Sequence, residues 1–225
     1  MHPPAKLPLI PVVGSPTPYP VARIFCVGRN YLDHVQEMGH DPERKPPIFF
    51  SKWAQTYVAD GGEVPYPPRT ADLQHEVELV VAIGADAVNI AAEKATDHIF
   101  GYAVGLDMTR RDLQLAARDA GQPWDIGKNF DFSAPIGPIA QASACGHLTK
   151  GAISLTVNGE TRQLCDLENM IWPVAEIISQ LSTLYALRPG DLIMTGTPAG
   201  VGSVRCGDKL VGMIEGLQSI SVQIA

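Results

Sequence analysis

The sequence predicts a strand-rich α+β fold with few helices. Its short apolar runs are separated by 21 glycines and 19 prolines, a punctuation that is typical of strands joined by turns. A composition of 45% hydrophobic and 18% charged residues is that of an ordinary globular protein. A chain of 225 residues suits one large domain or two small ones, and we predict one.

Composition also excludes several classes of protein. The net charge is −7 and no run of lysines and arginines occurs, so the electrostatic signature of a nucleic-acid-binding protein is absent. No apolar run reaches the length of a membrane span and no secretory pattern is visible, so the predicted location is the cytoplasm. The cysteines lie far apart, which argues against a zinc cluster or a disulfide framework. They are Cys26, Cys145, Cys165 and Cys206.

The predicted elements begin after a proline-rich arm. Residues 1–20 contain seven prolines, which fix φ and remove hydrogen-bond donors, so this arm should be extended. A single folded domain is then expected over residues 21–225. Within it, Asn158 and Gly159 separate two stretches of alternating residues, which is the strongest short-range signal for a β-hairpin.

Two longer helices are predicted as well. Thr109 and Asp112 have the spacing of a capping box, so a helix is expected to start there and to stop before Gly121 and Pro123. Another is predicted over residues 173–184, where apolar positions recur at helical spacing. We interpret this second helix as a packing element only.

A pair of glutamates marks the first candidate site. Residues 76–83 have the composition of a strand, and alternation in a strand places Glu76 and Glu78 on one side, opposite a wholly aliphatic face. Two carboxylates held that close raise each other's pKa unless a cation lies between them. The alternative is that both side chains point into water, which is the commoner outcome for an isolated E-x-E.

A second predicted strand, residues 101–107, supplies a third carboxylate. The face that carries Asp107 otherwise holds only Gly105 and Ala103, and such small residues leave room for a ligand. Three carboxylates without a His or Cys ligand suit Mg²⁺ or Mn²⁺, with Ca²⁺ as an alternative, rather than zinc. His75 should point to the opposite side of its strand, so a structural role or a position at the rim of the site is expected for it rather than metal binding.

A short helix is predicted between Asn30, which can cap it, and Gly39, which can end it. On this predicted helix over residues 31–38, His34 and Glu37 lie three apart and so within reach of each other. A carboxylate bonded to imidazole raises its basicity, which suits a water-activating dyad near neutral pH. A surface ion pair is the alternative.

The glycine-rich segment over residues 195–202 is the last candidate. Such a loop exposes backbone N–H groups and can bind an anion, here a substrate carboxylate, with Thr197 supplying a hydroxyl. A nucleotide site is not indicated, since neither a phosphate-loop lysine nor G-x-G-x-x-G is present. A simple tight turn is the alternative.

Taken together, these motifs resemble those of the fumarylacetoacetate hydrolase family, and most closely its small acylpyruvase branch. The resemblance runs in order from about Val21 to the C-terminus. The motifs are Cys26-Val27-Gly28-Arg29-Asn30-Tyr31, His34-x-x-Glu37, His75-Glu76-x-Glu78, Gly101-Tyr102, Asp107-x-Thr109-x-Arg111-Asp112-x-Gln114, Lys128 and Thr195-Gly196-Thr197-Pro198-x-Gly200-Val201-Gly202.

The resemblance implies a mixed β-roll fold, a homodimer and a role for each motif. It implies Mg²⁺ or Mn²⁺ bound by Glu76, Glu78 and Asp107. It implies catalysis by His34, Glu37 and Lys128, the lysine stabilising a developing enolate. The residues that it implies in substrate binding are Arg29, Lys52, Arg111, Gln114 and Thr197. Whether Arg29, Lys52 or Arg110 contacts a distal carboxylate is left open.

The activity implied is hydrolysis of a carbon–carbon bond in a small 2,4-dioxo acid. The expected substrate is fumarylpyruvate, which would give fumarate and pyruvate, although another acylpyruvate would serve the same chemistry. Decarboxylation of oxaloacetate or a related β-keto acid is an alternative, because the same site would stabilise the enolate formed. A catalytically inert metal-dependent binding protein is a third interpretation.

Overall fold

A computed structural model describes residues 6–33 and 45–225 of the protein. The predicted helix over residues 31–38 falls largely outside that part of the chain. His34 and Glu37, the proposed dyad, lie outside the described residues. Among the helices that are described, none is long and apolar enough to cross a bilayer.

Strands dominate the described residues, as the sequence predicts. They are β1 (Leu9–Ile10), β2 (Tyr19–Pro20), β3 (Arg23–Gly28), β4 (Ile48–Lys52), β5 (Tyr57–Val58), β6 (Glu63–Val64), β7 (Leu73–His75), β8 (Val77–Ile83), β9 (Ile99–Leu106), β10 (Thr109–Arg110), β11 (Ala134–Pro135), β12 (Ala140–Gln141), β13 (Ala152–Val157), β14 (Glu160–Asp166), β15 (Asp191–Met194), β16 (Gly202–Ser203), β17 (Lys209–Ile214) and β18 (Ile220–Ile224). The α-helices are α1 (Arg111–Asp119), α2 (Asp125–Lys128), α3 (Ala142–Cys145) and α4 (Val174–Leu184), and 3-10 turns cover Ala54–Thr56, Ala92–His98 and Leu167–Asn169.

Two larger sheets enclose the main core. The first has the order β12-β9-β8-β15-β3-β4 and the second the order β14-β13-β17-β18-β6. The first sheet is mixed, because β15 runs parallel to β3 and antiparallel to β8. The strand-rich α+β fold predicted from the sequence is therefore confirmed.

Strand β8 lies inside the first sheet and is buried on both faces. Its odd-numbered side chains pack in the main core between the sheets, as the predicted aliphatic face requires; these are Val77, Leu79, Val81 and Ile83. Val80 and Ala82 pack in a second, smaller core on the other face. Glu78 therefore projects from the face that the alternation predicts, beside apolar neighbours rather than water.

The β-hairpin predicted at Asn158-Gly159 joins β13 to β14. Asn158 has a φ of 53° and Gly159 a φ of 86°, so both central residues adopt the left-handed conformation that a two-residue hairpin turn requires. Strand β13 also pairs with β17, which fixes the hairpin within the second sheet.

Both longer helices form, but the expected cap of the first is wrong. Helix α1 begins at Arg111, not at Thr109, whose hydroxyl donates to the backbone oxygen of Asp107. The carboxylate of Asp112 instead accepts hydrogen bonds from Thr70 and from backbone N–H groups. Helix α4 confirms the packing prediction, and its buried apolar residues are Val174, Ile177, Ile178 and Leu181.

The described part of the proline-rich arm lies against the first sheet. Strands β1 and β2 pair with each other, and Ile10 and Tyr19 are buried in the second core. The Tyr19 hydroxyl lies 2.8 Å from the backbone oxygen of Ile83 and 2.9 Å from that of Asp191, and its one proton is available to either acceptor. The division of the chain at residue 20 stays a prediction.

Candidate active site

The three predicted metal-binding carboxylates meet at one end of the β8–β9 pair. Glu78 pairs with Gly105 in the antiparallel register, and the backbone N–H of Asp107 donates to the backbone oxygen of Glu76 at 2.8 Å. One oxygen from each of Glu76, Glu78 and Asp107 lies within 4.8 Å of the others, and all three residues are buried. Local strand alternation and one strand pairing are enough to build this cluster.

The small residues of β9 do not leave room for a ligand, contrary to expectation. A Cβ atom added at Gly105 would lie 2.5 Å from the Val80 side chain and 3.3 Å from that of Met194. Ala103 is buried in the same apolar cluster. Gly105 and Ala103 therefore permit close packing of strands, and the cleft opens elsewhere.

Glu78, like Asp107, is almost completely buried. Its Oε2 accepts a hydrogen bond of 2.7 Å from the backbone N–H of Gly196, which belongs to the glycine-rich loop. Burial, and then the negative charges of Asp107 and Glu76, raise the pKa of Glu78 well above its ordinary value. The glycine-rich loop was expected to bind a substrate carboxylate, but the N–H of Gly196 donates to the Glu78 carboxylate of the protein itself.

Lys128 supplies positive charge between two of the carboxylates. Its Nζ donates to Glu76 Oε2 at 2.6 Å and to Asp107 Oδ2 at 2.7 Å. Burial opposes the charged form, but Asp107 and Glu76 outweigh it and raise the pKa of the Lys128 ammonium. Gly127 allows α2 to approach α1, since a Cβ there would lie 2.7 Å from the backbone nitrogen of Gln114.

Lys52 lies behind Asp107 rather than in the cleft. Its Nζ is 2.8 Å from Asp107 Oδ1, in a geometry that makes an ion pair but not an aligned hydrogen bond. It donates to the backbone oxygens of Met108, at 3.2 Å, and Lys128. The Lys52 side chain is fully buried and does not line the cleft.

Arg111 connects the carboxylate cluster to the wall of the cleft. Its guanidinium donates to Glu76, to Gln114 Oε1 at 2.6 Å and to Gln74 Oε1 at 2.8 Å. The side chain of Arg111 is only 4% exposed, so its orientation is fixed by these partners. Arg111 and Gln114 thus act as one rigid unit on the first turn of α1.

A buried glutamine that the sequence analysis missed holds the glycine-rich loop. Gln163 Nε2 donates to Thr197 Oγ1 and to the backbone oxygen of Pro198, both at 2.8 Å. Its Oε1 accepts from the backbone N–H of Val77 and from His75 Nδ1, both at 3.0 Å. No local signal marks Gln163, because it lies on the hairpin strand β14 of the other sheet.

The hydrogen bonds of Gln163 fix the positions of Thr197 and His75, which the sequence analysis considered as site residues. The Thr197 hydroxyl donates its one proton to the backbone oxygen of Val77 at 2.8 Å, so in this arrangement it is an acceptor for any further partner. His75 is buried and bonded to Gln163, and burial lowers its pKa. The structural role expected for His75 agrees with this position.

The remaining predicted residues line a cleft that reaches the carboxylate cluster. It encloses about 490 Å³ including its open mouth. Its predicted site residues are Arg29, Glu76, Glu78, Arg111, Gln114, Lys128 and Thr197. Residues that the sequence analysis did not single out also line it, and these are Phe50, Leu115, Arg118 and Trp124.

The donor set fits a hard divalent cation. Three buried carboxylates converge, and Asp107 Oδ1 has no aligned hydrogen-bond donor. Oxygen-only ligands suit Mg²⁺ and Mn²⁺. The chain already places Lys52, Arg111 and Lys128 beside the carboxylates. A bound divalent cation would therefore leave the site positive, which favours an anionic substrate.

Comparisons with known proteins agree with this chemistry. The sequence model of the fumarylacetoacetate (FAA) hydrolase C-terminal family matches residues 23–225. A fumarylpyruvate hydrolase from Ralstonia sp is 49% identical over 177 residues, covering 79% of this chain and 92% of that protein. An oxaloacetate tautomerase from Escherichia coli is 38% identical over 205 residues, covering 90% and 93%.

The structural comparison extends over the whole chain. A crystal structure of fumarylpyruvate hydrolase from Pseudomonas aeruginosa, in complex with Mn²⁺ and pyruvate, is 50% identical with a TM-score of 0.98. The match covers 100% of this chain and 98% of that one. The mixed β-roll expected from the sequence motifs is confirmed by this likeness.

Proposed function

The chain belongs to the fumarylacetoacetate hydrolase family, and on that premise we propose that it hydrolyses fumarylpyruvate to fumarate and pyruvate. The observation that carries the proposal is the convergence of Glu76, Glu78 and Asp107 at a cleft. Both glutamates line this cleft together with Lys128 and Arg111, and the buried Asp107 lies directly behind Lys128. This arrangement suits a reaction in which negative charge develops on the substrate.

The metal would be held by Glu76, Glu78 and Asp107. Mg²⁺ or Mn²⁺ bound there supplies positive charge that polarises the oxo groups of the substrate and favours the enolate that leaves. The solved relative from Pseudomonas aeruginosa is a complex with Mn²⁺ and pyruvate, which supports a divalent cation next to the pyruvyl part of the substrate.

The chain's own cations would bind and stabilise the pyruvyl end. Arg111 and Gln114 are locked together at the wall of the cleft, so their remaining donors are preorganised for substrate oxygens. The Lys128 ammonium is fixed between Glu76 and Asp107, and it would stabilise the negative charge of an enolate oxygen bound near these carboxylates. Neither group has to reorganise as the charge appears.

Proton transfer is assigned to His34 and Glu37 by family likeness. His34, supported by Glu37, takes a proton from a water molecule as that water attacks the acyl carbonyl of the substrate. The bond between this carbonyl and the neighbouring methylene then breaks, and its electron pair forms the enolate of pyruvate. The proton returns to the methylene carbon, so pyruvate and a carboxylic acid leave.

Replacing Glu76 by glutamine tests the proposal. The change removes one ligand charge while keeping the shape of the side chain, so metal-dependent loss of the dioxo acid's ultraviolet absorbance should fall by at least about 100-fold. Circular dichroism would check that the fold persists. Glu93→Gln, at an exposed glutamate of a 3-10 turn, is the matched control and should keep full activity. Full activity of E76Q would refute the ligand assignment.

Oxaloacetate is a second candidate substrate, favoured by relatives such as the oxaloacetate tautomerase of Escherichia coli. A site that stabilises an enolate could interconvert the keto and enol forms of oxaloacetate, or release CO₂ from it. Parallel assays with Mn²⁺ on fumarylpyruvate, acetylpyruvate and oxaloacetate distinguish these reactions. Faster turnover of oxaloacetate than of either acylpyruvate would overturn the primary proposal.

We also propose a homodimer that acts in the cytoplasm on products of aromatic ring cleavage, as in the gentisate pathway. Family likeness supports this assembly and setting. Light scattering coupled to size-exclusion chromatography tests the assembly, and a mass of one chain would contradict it.

A further inference from the structure

One face of α1 forms a wall that leads from the carboxylate cluster to the solvent. Four residues of this helix line the cleft: Arg111, Gln114, Leu115 and Arg118. Their spacing places them on one helical face. Side-chain exposure rises from 4% at Arg111 to 31% at Arg118. Seven residues advance a helix by about 10 Å, so Arg118 lies about that far along the helix axis from Arg111.

Arg29 lines the same cleft and has an unusual backbone conformation and an aromatic neighbour. Its φ is 62°, in the left-handed region that side chains other than glycine rarely adopt and that clusters at ligand sites. Its guanidinium is 5.9 Å from the centroid of the Trp124 ring. Trp124 packs closely on Gly28, where an added Cβ would lie 3.2 Å from the indole. The cation–π contact with Trp124 therefore restrains the Arg29 guanidinium.

Arg29 and Arg118 carry like charges and line the same cleft. Burial, and then the positive charge of Arg118, lower the pKa of Arg29. No described residue forms an ion pair with Arg29. Arg118 pairs with the adjacent Asp119, whose side chain is 67% exposed, and such surface pairs contribute little. An anion between Arg29 and Arg118 would relieve this repulsion.

The other cations considered for a distal carboxylate are placed elsewhere. Lys52 is buried behind Asp107. Arg110 lies over the Phe130 ring, with its guanidinium 4.3 Å from the ring centroid, and does not line the cleft. Of the three cations that the sequence left open for a distal carboxylate, Arg29 alone lines the cleft. Arg118, which none of the sequence motifs includes, lines it as well.

We propose that Arg29 and Arg118 together bind the distal carboxylate of the acyl group and so select dianionic acylpyruvates. The inference rests on the proposed function, because it assumes that the pyruvyl end lies at the carboxylate cluster. The two carboxyl carbons of extended fumarylpyruvate are about 7.5 Å apart, which the helix face spans with reach to spare. Two guanidiniums offer the paired donors that carboxylates prefer.

Arg118→Gln tests the proposal against two substrates. For fumarylpyruvate, whose acyl group ends in a carboxylate, we expect kcat/KM to fall about 10- to 100-fold. For acetylpyruvate, which lacks that carboxylate, kcat/KM should stay within about twofold of the wild type. Arg205→Gln, at an exposed arginine outside the cleft, is the control for loss of one positive charge and should change neither value.

Product inhibition gives a second readout. The inhibition constant for fumarate should rise in R118Q by a factor similar to the loss of kcat/KM, while that for pyruvate should not change. Equal losses on both substrates, or no loss on either, would overturn the assignment of Arg118 while leaving the hydrolase intact. If the wild type turns over neither acylpyruvate, the proposed function itself fails and the subsite falls with it.

Discussion

Removal of the Lys128 charge should make the stability of the protein depend more strongly on a bound divalent cation. The Lys128 ammonium is 2.6 Å from Glu76 Oε2 and 2.7 Å from Asp107 Oδ2, and its side chain is 4% exposed. Lys128→Met keeps a long unbranched side chain but deletes this cation. Two buried carboxylates then lose the partner that lies between them.

The size of the effect follows from that burial. Breaking a buried ion pair by removing one partner costs about 3–5 kcal/mol. In a domain of this size each kcal/mol lowers Tm by about 2–4 °C, so K128M should unfold about 6–20 °C below the wild type in EDTA. A divalent cation bound by Glu76 and Asp107 replaces the missing charge, so excess Mn²⁺ should recover a large part of the loss.

Thermal unfolding followed by circular dichroism, in EDTA and in excess MnCl₂, measures both quantities. The gain in Tm on adding Mn²⁺ should be larger for K128M than for the wild type. Lys150→Met, at an exposed lysine, is the matched control and should behave as the wild type. The same deficit for K128M with and without Mn²⁺ would refute the reasoning, because Lys128 would then act through packing rather than through charge.

Two other substitutions test the supports of the site. Gln163→Leu removes the acceptor for the backbone N–H of Val77 and for the His75 ring, which costs about 1–3 kcal/mol for each group. Tm should therefore fall, and an unchanged melting curve would contradict the importance of this network. For Asp112, burial opposes ionisation, but hydrogen bonds from Thr70 and backbone N–H groups outweigh it and lower its pKa below the ordinary 3.8. This stabilisation is present above that value and is lost as pH falls through the lowered pKa. The Tm deficit of Asp112→Asn should thus shrink in acid, and a deficit independent of pH would argue against an ionic contribution.

Local sequence patterns were enough to predict the strand-rich fold and the carboxylates at the centre of the site. The period of two in residues 76–83 placed Glu78 opposite an aliphatic face, and the structure confirms that division. The hairpin at Asn158-Gly159 was equally local, since its turn needs only two residues with positive φ. Such features follow from neighbours in the chain, so sequence alone determined them.

Contacts between distant segments were decided only by the tertiary structure. Gln163 reaches Thr197 from a strand of the other sheet, and Val80 fills the space beside Gly105 that the sequence suggested for a ligand. Arg118 joins Arg29 because α1 is laid along the cleft. Which side chains these residues contact depends on how the sheets and helices pack against each other. Packing brings together residues that are far apart in the sequence, and no local periodicity in the sequence indicates such contacts.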